Sequence, residues 1–457
     1  MSKRVAPVKK NDQVELTILD LGTEGQGIGR YEGYTLFVEG ALPTELVLIT
    51  VIKVGKNFGI GKLMEILKPS QDRVEEKCPI AKQCGGCSVQ HLSYKGQLEF
   101  KHNKVAQLIQ RVGKVEEAEV LPTIGMDEPW HYRNKVQFPV RDVNGTIKIG
   151  YYAKRSHRIV ETPTCYIQDR RNEEVREILY NWMIDLGVTA YDEQKHRGQV
   201  RHLVTRYAHG SGKMHVTIVI NVRRLRHVDT LVERLTNCEY ISGIALNINR
   251  DQTNVIMGKE MYHLYGDDYL EDTIGDVKFH ISPQSFYQVN PVQTEKLYGK
   301  ALEYADLSGS EVVLDIYCGI GSISLFLAQQ AQKVIGVEIV PEAVENAQHN
   351  AKINGLTNTE FYIGKAEEVI PRLYKEKGIR ADVVVVDPPR KGCDEKLLET
   401  IVKMAPEKLV YVSCDPGTLA RDIAYLTEHG FKLQKVQPLD MFPHSTHVEC
   451  CSLLTMK

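Results

Sequence analysis

The chain has 457 residues, 42% of them hydrophobic, and a formal net charge of −2; that length exceeds one ordinary core and predicts two or three domains, while the near-neutral balance by itself predicts no polyanionic partner. No apolar run approaches the roughly eighteen residues of a membrane helix, and the opening MSKRVAPVKK has no apolar segment behind its basic residues, so neither a membrane span nor a secretory signal is expected. The expected location is the cytoplasm, where ten cysteines suggest metal binding or catalysis rather than a disulfide scaffold.

Residues 1–70 carry VELTILDLG, YTLFVEGAL and ELVLITVIKV between glycine-rich turns. Short strands at such regular spacing predict a small, OB-like β-barrel. Gly22, Gly25, Gly27 and Gly29 crowd one loop; tight barrel turns are favoured there over a phosphate cradle, because no strand-to-helix transition follows.

Past Pro69 comes CPIAKQCGGC, with Cys78, Cys84 and Cys87, and then a helix near Tyr94 to Val112. Two thiolates flanking a Gly-Gly pair can grip one soft metal site. Cys165, in ETPTCYIQD, is the best candidate for the fourth ligand: Cys318, Cys393 and Cys414 fall in a later domain, and Cys238 lies at a less distinctive helix end. Zinc and an iron–sulfur cluster both suit four thiolates, with unligated core thiols as the alternative.

The rest of residues 71–280 reads as a mixed, strand-rich central domain. WHYRNKVQF, Trp130 to Phe138, mixes aromatic and basic side chains on an expected strand, and Tyr151, Tyr152, Lys154, Arg155 and Arg158 continue the theme. Both stretches suit stacked RNA bases and neutralised phosphates, against the plainer reading of core aromatics. From Lys195 to His227 there are eight Lys or Arg, five His and no Asp or Glu, around a hairpin turn at His209-Gly210-Ser211-Gly212. That face is expected to attract phosphates.

In residues 281–457, EVVLDIYCG, KVIGVEIV, ADVVVVDPPR and LVYVSCDP alternate with helical stretches. The alternation predicts an α/β fold with a doubly wound, Rossmann-like parallel sheet. In VVLDIYCGIGSISLFLAQ a strand feeds a loop holding Gly319 and Gly321 and then a helix, which brings backbone close to a nucleotide. The third glycine of the dinucleotide fingerprint is missing, which lowers the case for a pyrophosphate. Glu338 closes the next strand twenty-one residues after Tyr317, where a carboxylate can accept from both ribose hydroxyls. Asp387 ends a run of four valines before a Pro-Pro pair. The combination looks like a methyltransferase using S-adenosylmethionine, which offers an adenosine without phosphates.

Cys414 stands at the lip of the last of these strands. A thiolate there can add to carbon 6 of a pyrimidine and make carbon 5 nucleophilic enough to take a methyl group. A base must then remove the carbon 5 proton. Glu449, in FPHSTHVEC thirty-five residues on, is the candidate, and His444 and His447 either orient it or lie at the surface. The Asp-Pro-Pro turn also suggests amino-group methylation, but that chemistry needs no thiol, and Arg390 follows the turn here instead of an aromatic residue.

Together VSCDP, FPHSTHVEC, VVVVDPPRKG, LDIYCGIGSISL and SPQSFYQVN resemble the RNA uracil-5-methyltransferase family through most of the chain. The resemblance implies Cys414 as nucleophile and Glu449 as the carbon 5 base. It also implies contacts from Gln288, Tyr317, Glu338 and Asp387 to S-adenosylmethionine, with Ser322 near a further cofactor position. Asp415 follows the cysteine where many members carry asparagine, and a carboxylate beside a thiolate opposes its ionisation. In the ribosomal-RNA branch such a cysteine set carries a 4Fe-4S cluster, and GALPTE, Gly40 to Glu45, resembles that branch's N-terminal TRAM barrel; the transfer-RNA branch typically lacks both. The expectation is methylation of uridine carbon 5 in 23S ribosomal RNA, on a base that is unpaired or flipped out, with a structural cluster and no obligate protein partner. The alternatives are the same reaction on a transfer-RNA loop, cytosine methylation, and a non-catalytic RNA-binding scaffold.

Overall fold

The computed structural model describes residues 6–457. Five strands, β1 (Gln13–Leu21), β2 (Gly27–Tyr31), β3 (Tyr34–Val38), β4 (Leu46–Val54) and β5 (Phe58–Lys68), close into a barrel of order β1-β2-β3-β5-β4. Strict alternation drives the closure: Leu16, Ile18, Leu36, Val38, Val47 and Ile49 point into one core while their neighbours face out. The glycine-rich loop is no cradle. A side chain at Gly25 would strike Val89 at 2.7 Å and Thr446 at 3.0 Å, so the loop packs flat against the cysteine segment and the C-terminal segment.

Helix α1 (Tyr94–Arg111), capped by the Ser93 hydroxyl, which accepts from the Gly96 N–H at 3.1 Å, follows the cysteine loop. Its Val105 and Ile109 pack with the C-terminal sheet rather than with the central one. The short strand β6 (Glu119–Val120) then runs along that sheet's outer edge.

The central part is built on β7 (Lys135–Val143), β8 (Thr146–Ile149), β9 (Tyr151–Tyr152), β10 (Ile159–Val160), α2 (Arg171–Asp185), β11 (Val200–Tyr207), β12 (Met214–Ile220), α3 (Val228–Thr236), β13 (Ile241–Ile248) and β14 (Glu260–Gly266). Six of these strands form one sheet, β14-β13-β12-β11-β7-β8, and α2 and α3 cover one face through Val175, Leu179, Trp182, Leu231 and Leu235. The expected hairpin is β11–β12, with Tyr207 opposite Met214. A separate hairpin, β15 (Leu270–Ile274) with β16 (Val277–Ile281), leads to the last part.

There, α4 (Pro291–Ala305), β17 (Val312–Ile316), α5 (Ser322–Ala328), β18 (Lys333–Glu338), α6 (Pro341–Ile353), β19 (Thr359–Ile363), α7 (Ala366–Glu376), β20 (Val383–Val386), α8 (Glu395–Met404), β21 (Lys408–Ser413), α9 (Pro416–Glu428), β22 (Phe431–Leu439) and β23 (Glu449–Met456) build an eight-stranded sheet. Its order is β19-β18-β17-β20-β21-β23-β22-β6. The five strands from β19 to β21 are parallel, whereas β23 inserts antiparallel between β21 and β22. Of the four valines of β20, Val384 and Val386 join the core under α1, α7, α8 and α9, while Val383 and Val385 join the core under α4 and α5. A strand covered on both faces reads as an unbroken apolar run for this reason. Main-chain bonds carry the edge beyond β6: Leu121 N–H donates to Val436 (2.9 Å), Ile124 N–H to Pro438 (2.9 Å), and Asp440 N–H back to Ile124 (2.9 Å).

Candidate active site

The sheet's carboxyl edge collects side chains from five neighbouring strands. Tyr317 follows β17 with φ of 70°, a left-handed conformation that is costly for a residue with a side chain. Its N–H donates to the Val337 carbonyl at 2.9 Å. The turn continues through Gly319 and Gly321; a side chain at Gly321 would meet Ala347 at 3.2 Å, so the loop closes against α6. Glu338, at the end of β18, accepts from Gly319 N–H at 3.1 Å and from the N–H groups of Ile339 and Val340 at 2.8 and 2.9 Å. Fixed in this way, its carboxylate keeps lone pairs free for hydroxyl donors.

Gln288 is buried on the approach to α4. Asn134 holds it from the central part, donating its side-chain amide to the Gln288 carbonyl (3.0 Å) and its N–H to the Val289 carbonyl (2.8 Å). Ser285 accepts from Asn346 of α6 at 3.0 Å, which ties the same segment across the crevice. Phe286 beside it is 73% exposed and offers a bare aromatic face.

Cys414 follows β21 directly and is half-buried. The antiparallel register pairs Ser413 with Cys450, so the next pair sets Cys414 across from Glu449, the first residue of β23. Asp387 sits one strand away, at the end of β20. Burial pushes the Glu449 carboxyl up to about 8, helped by the charge of Asp387 and opposed by Arg390. Burial also lifts Asp387 to about 7, with Asp315 adding to it. The Cys414 thiol rises to about 11 through burial, then Glu449 and Asp387, while Arg390 pulls it down. Asp415, the sequence neighbour expected to oppose the thiolate, is turned away instead. Its Oδ1 accepts from the N–H groups of Gly417 (2.9 Å) and Thr418 (3.2 Å), capping α9.

Two groups here have roles that the sequence did not suggest. Arg390 is exposed at the rim and is the cation that opposes both shifts; its signal was its place directly after the Pro-Pro pair. Asp315 is wholly buried in β17 and bonded to the Ser324 hydroxyl; a lone carboxylate inside an apolar strand was its signal. Of the two histidines, His444 is buried, stacked on Trp130 with centroids 3.8 Å apart, and held between Pro129 O (3.1 Å) and Gln97 Nε2 (3.2 Å). Burial depresses its pKa to about 4. It braces the C-terminal segment and does not touch Glu449. His447 is exposed.

Three expectations for RNA contacts change. Phe138 is fully buried under α2, Tyr132 is buried beside Met126 and Ile167, and Trp130 is covered by His444 with Lys77 over its ring at 4.5 Å. These aromatics are core. The basic stretch 195–227 is also partly internal, since Arg201, His202, Arg206 and His215 are buried.

Cys78, Cys84, Cys87 and Cys165 converge. Burial and the facing Cys165, Cys84 and Cys78 hold the Cys87 thiol far above its usual range, and Cys87 and Cys165 share one small core with Tyr132 and Ile167. Among the described residues, no three His, Cys, Asp or Glu side chains come together as ligands of a single metal ion. No helix among them is long and apolar enough to cross a membrane.

A parallel sheet of this order, with a close-approach loop after its central strand and a carboxylate at the next strand end, defines the class of S-adenosylmethionine-dependent methyltransferases. More narrowly, the chain belongs to the tRNA (uracil-5-)-methyltransferase family, whose model matches residues 93–457, and a TRAM domain model matches residues 7–64. It is an RNA uracil-5-methyltransferase. An RNA methyltransferase of Halalkalibacterium halodurans is 50% identical over 458 residues, covering 100% of each chain. One of Listeria innocua is 51% identical over 454 residues, covering 98% of this chain and 99% of its own. Among solved structures, the Pyrococcus abyssi tRNA (uracil-54, C5)-methyltransferase in complex with S-adenosyl-L-homocysteine matches with a TM-score of 0.78 at 25% identity, over 97% of this chain and 100% of that one.

Proposed function

We propose that the protein methylates carbon 5 of uridine in 23S ribosomal RNA, in the cytoplasm, with Cys414 as nucleophile and Glu449 as base. What supports the chemistry is the β21–β23 register that sets these two side chains opposite each other. The Cys414 sulfur bonds to carbon 6, and the electron pair released to carbon 5 takes the methyl group. The Glu449 carboxylate then accepts the carbon 5 proton, the carbon 6–sulfur bond breaks, and the thiolate is restored. S-adenosylmethionine, when bound, would supply the electrophilic methyl, its sulfonium–methyl bond breaking to leave S-adenosylhomocysteine. Gln288, Tyr317, Gly319, Glu338 and Asp387 hold it, with Glu338 on the ribose. Arg390 favours the ionised forms of Cys414 and Glu449, and Phe286 gives an extruded base a ring to stack on.

The ribosomal target rests on the four-cysteine set, which resembles that of the ribosomal-RNA branch. The barrel does not discriminate, because the Pyrococcus abyssi enzyme, named for a transfer RNA, matches this chain over nearly its whole length. That match is the specific support for a second reading, uridine in a transfer-RNA loop. Methyl incorporation into purified 23S ribosomal RNA and transfer RNA, each from cells lacking the gene, decides between them. 5-Methyluridine in the ribosomal RNA alone is expected; transfer into transfer RNA alone overturns the ribosomal reading.

Cys78, Cys84, Cys87 and Cys165, which lie together beside Tyr132 and Ile167, would hold a 4Fe-4S cluster of the kind the ribosomal-RNA branch carries. Four thiolates suit zinc as well as an iron–sulfur cluster, and the resemblance to the ribosomal-RNA branch favours the cluster. Protein purified without oxygen should contain about four iron and four sulfide ions per chain, and Cys87→Ser should lose them; zinc alone in the wild type overturns the assignment.

A further inference from the structure

The far end of the six-stranded sheet holds a pocket for which the methylation chemistry has no use. It lies between the end of β7, the start of β11 and the loop joining β13 to β14, and encloses about 180 Å³. Arg141 and Arg201 line it, 5% and 3% exposed. Each guanidinium braces main chain: Arg141 donates to the Arg201 carbonyl (2.7 Å), and Arg201 to the carbonyls of Asn249 (2.7 Å) and Asp251 (2.8 Å). Yet the Nε of both, and the Nδ1 of the neighbouring His202, have no hydrogen-bond partner. Glu193 is the one carboxylate in the lining. It stands 3.8 Å from Arg141 Nε and is already engaged by His157 at 2.8 Å. Two buried cations facing one shared anion leave an excess of positive charge, which is costly unless an anion completes the site.

The walls add aromatic faces. Tyr152 and His157 stand with centroids 5.2 Å apart, and the Tyr152 hydroxyl accepts from Arg141 at 2.5 Å. The volume lies below the roughly 300–1,000 Å³ of sites that enclose a drug-sized ligand, and matches one planar base better than a folded stem. A shallower surface cavity shares Tyr152 and His157 and continues past Lys154 and Arg155. Those two side chains bridge to Glu39 and Glu24 of the barrel. The track from barrel to pocket suits a polymer rather than an isolated nucleotide.

We propose that this pocket captures one unpaired nucleotide of the RNA substrate, its base against Tyr152 and His157 and its phosphate on Arg141 and Arg201. The inference rests on the reading of the protein as an RNA methyltransferase and adds a foothold remote from Cys414. Along β7, Arg141 lies six positions from Lys135 at the catalytic end, roughly 20 Å of extended chain. The site therefore holds a nucleotide distant from the one being methylated. It also stands beside the cysteine loop: Tyr152 accepts from Gly85 N–H at 3.2 Å through its main chain.

The test uses the full-length protein with two exposed substitutions at the pocket mouth, Thr253→Glu and Asn254→Glu, which leave the buried arginines in place. Expected is a rise of at least tenfold in KM for RNA, with kcat at saturating RNA and affinity for S-adenosylmethionine unchanged. Photo-cross-linking of 4-thiouridine RNA to the wild type should label peptides carrying Tyr152 or His157. Normal methyl transfer with unaltered KM in the double variant, or cross-links confined to the catalytic part, overturns the pocket alone. Failure of the wild type to methylate any RNA overturns both this inference and the reading beneath it.

Discussion

The two large sheets bury opposite charges. At the carboxyl edge of the eight-stranded sheet, Asp315, Asp387 and Glu449 crowd together and are pushed up to about 6, 7 and 8. On the six-stranded sheet, burial lowers the pKa of Arg201, of His202 and of Arg206, the last to about 10. Neither set neutralises itself. On the proposed readings, the acidic group serves a chemistry in which protons must move near neutral pH, and the basic group serves a partner that brings its own negative charge. Where a buried charge has only to hold the fold, it is paired: Lys101 of α1 and Asp440 bond directly, both fully covered.

The comparison breaks most sharply at Cys414. Replacement by alanine should cut methyl transfer by at least about 10⁴-fold and abolish the covalent adduct with 5-fluorouridine RNA on denaturing gels. An adduct that survives the substitution places the nucleophile elsewhere. Glu449→Gln comes next, with a loss of roughly 10²–10⁴-fold and an adduct that forms and persists. In the wild type kcat/KM should rise with pH through about 8 and keep climbing toward 11, because Glu449 and Cys414 both act deprotonated. Arg390→Gln should move that rise to higher pH. Stability carries the opposite sign. The folded Glu449 pKa lies above its ordinary 4.5, so stability is lost as pH rises from there through about 8. Glu449→Gln should therefore raise the Tm more at pH 8 than at pH 5.

Lys101→Met leaves Asp440 buried without its cation and should cost about 3–5 kcal/mol in urea denaturation. Adding Asp440→Leu should recover most of that loss; no recovery would mean that packing, not charge, sets the cost. At the bottom of the scale, Lys154→Ala removes the Lys154–Glu39 pair, whose side chains are 37% and 65% exposed, and should change stability by less than about 1 kcal/mol.

Much of the catalytic half was legible because apolar runs that stop at a polar residue mark the ends of buried strands. Tyr317, Glu338, Asp387 and Cys414 all lie at such ends, as their patterns implied. What puts Glu449 beside Cys414 was not legible: β23 inserts antiparallel, against the direction of its neighbour β21, and local patterning carries no record of which strand pairs with which. The aromatic stretch Trp130–Phe138 misled for a related reason. Alternation tells which side chains share a face, but not that α2 covers Phe138 or that His444 covers Trp130. In the same way a count of cations cannot reveal that Arg201 and Arg206 turn inward.

The segment from β6 to Ile124 has a further effect through its place on β22. A nine-residue strand left open at the margin of a sheet is a template for pairing with another chain, and from there for fibre growth. Here two residues of β6 and the bonds of Leu121 and Ile124 occupy the margin from Lys435 to Asp440. The protein thus seals its own growing edge with a piece of chain that comes early in the sequence, so β22 is met by a cover already made rather than by a neighbouring molecule.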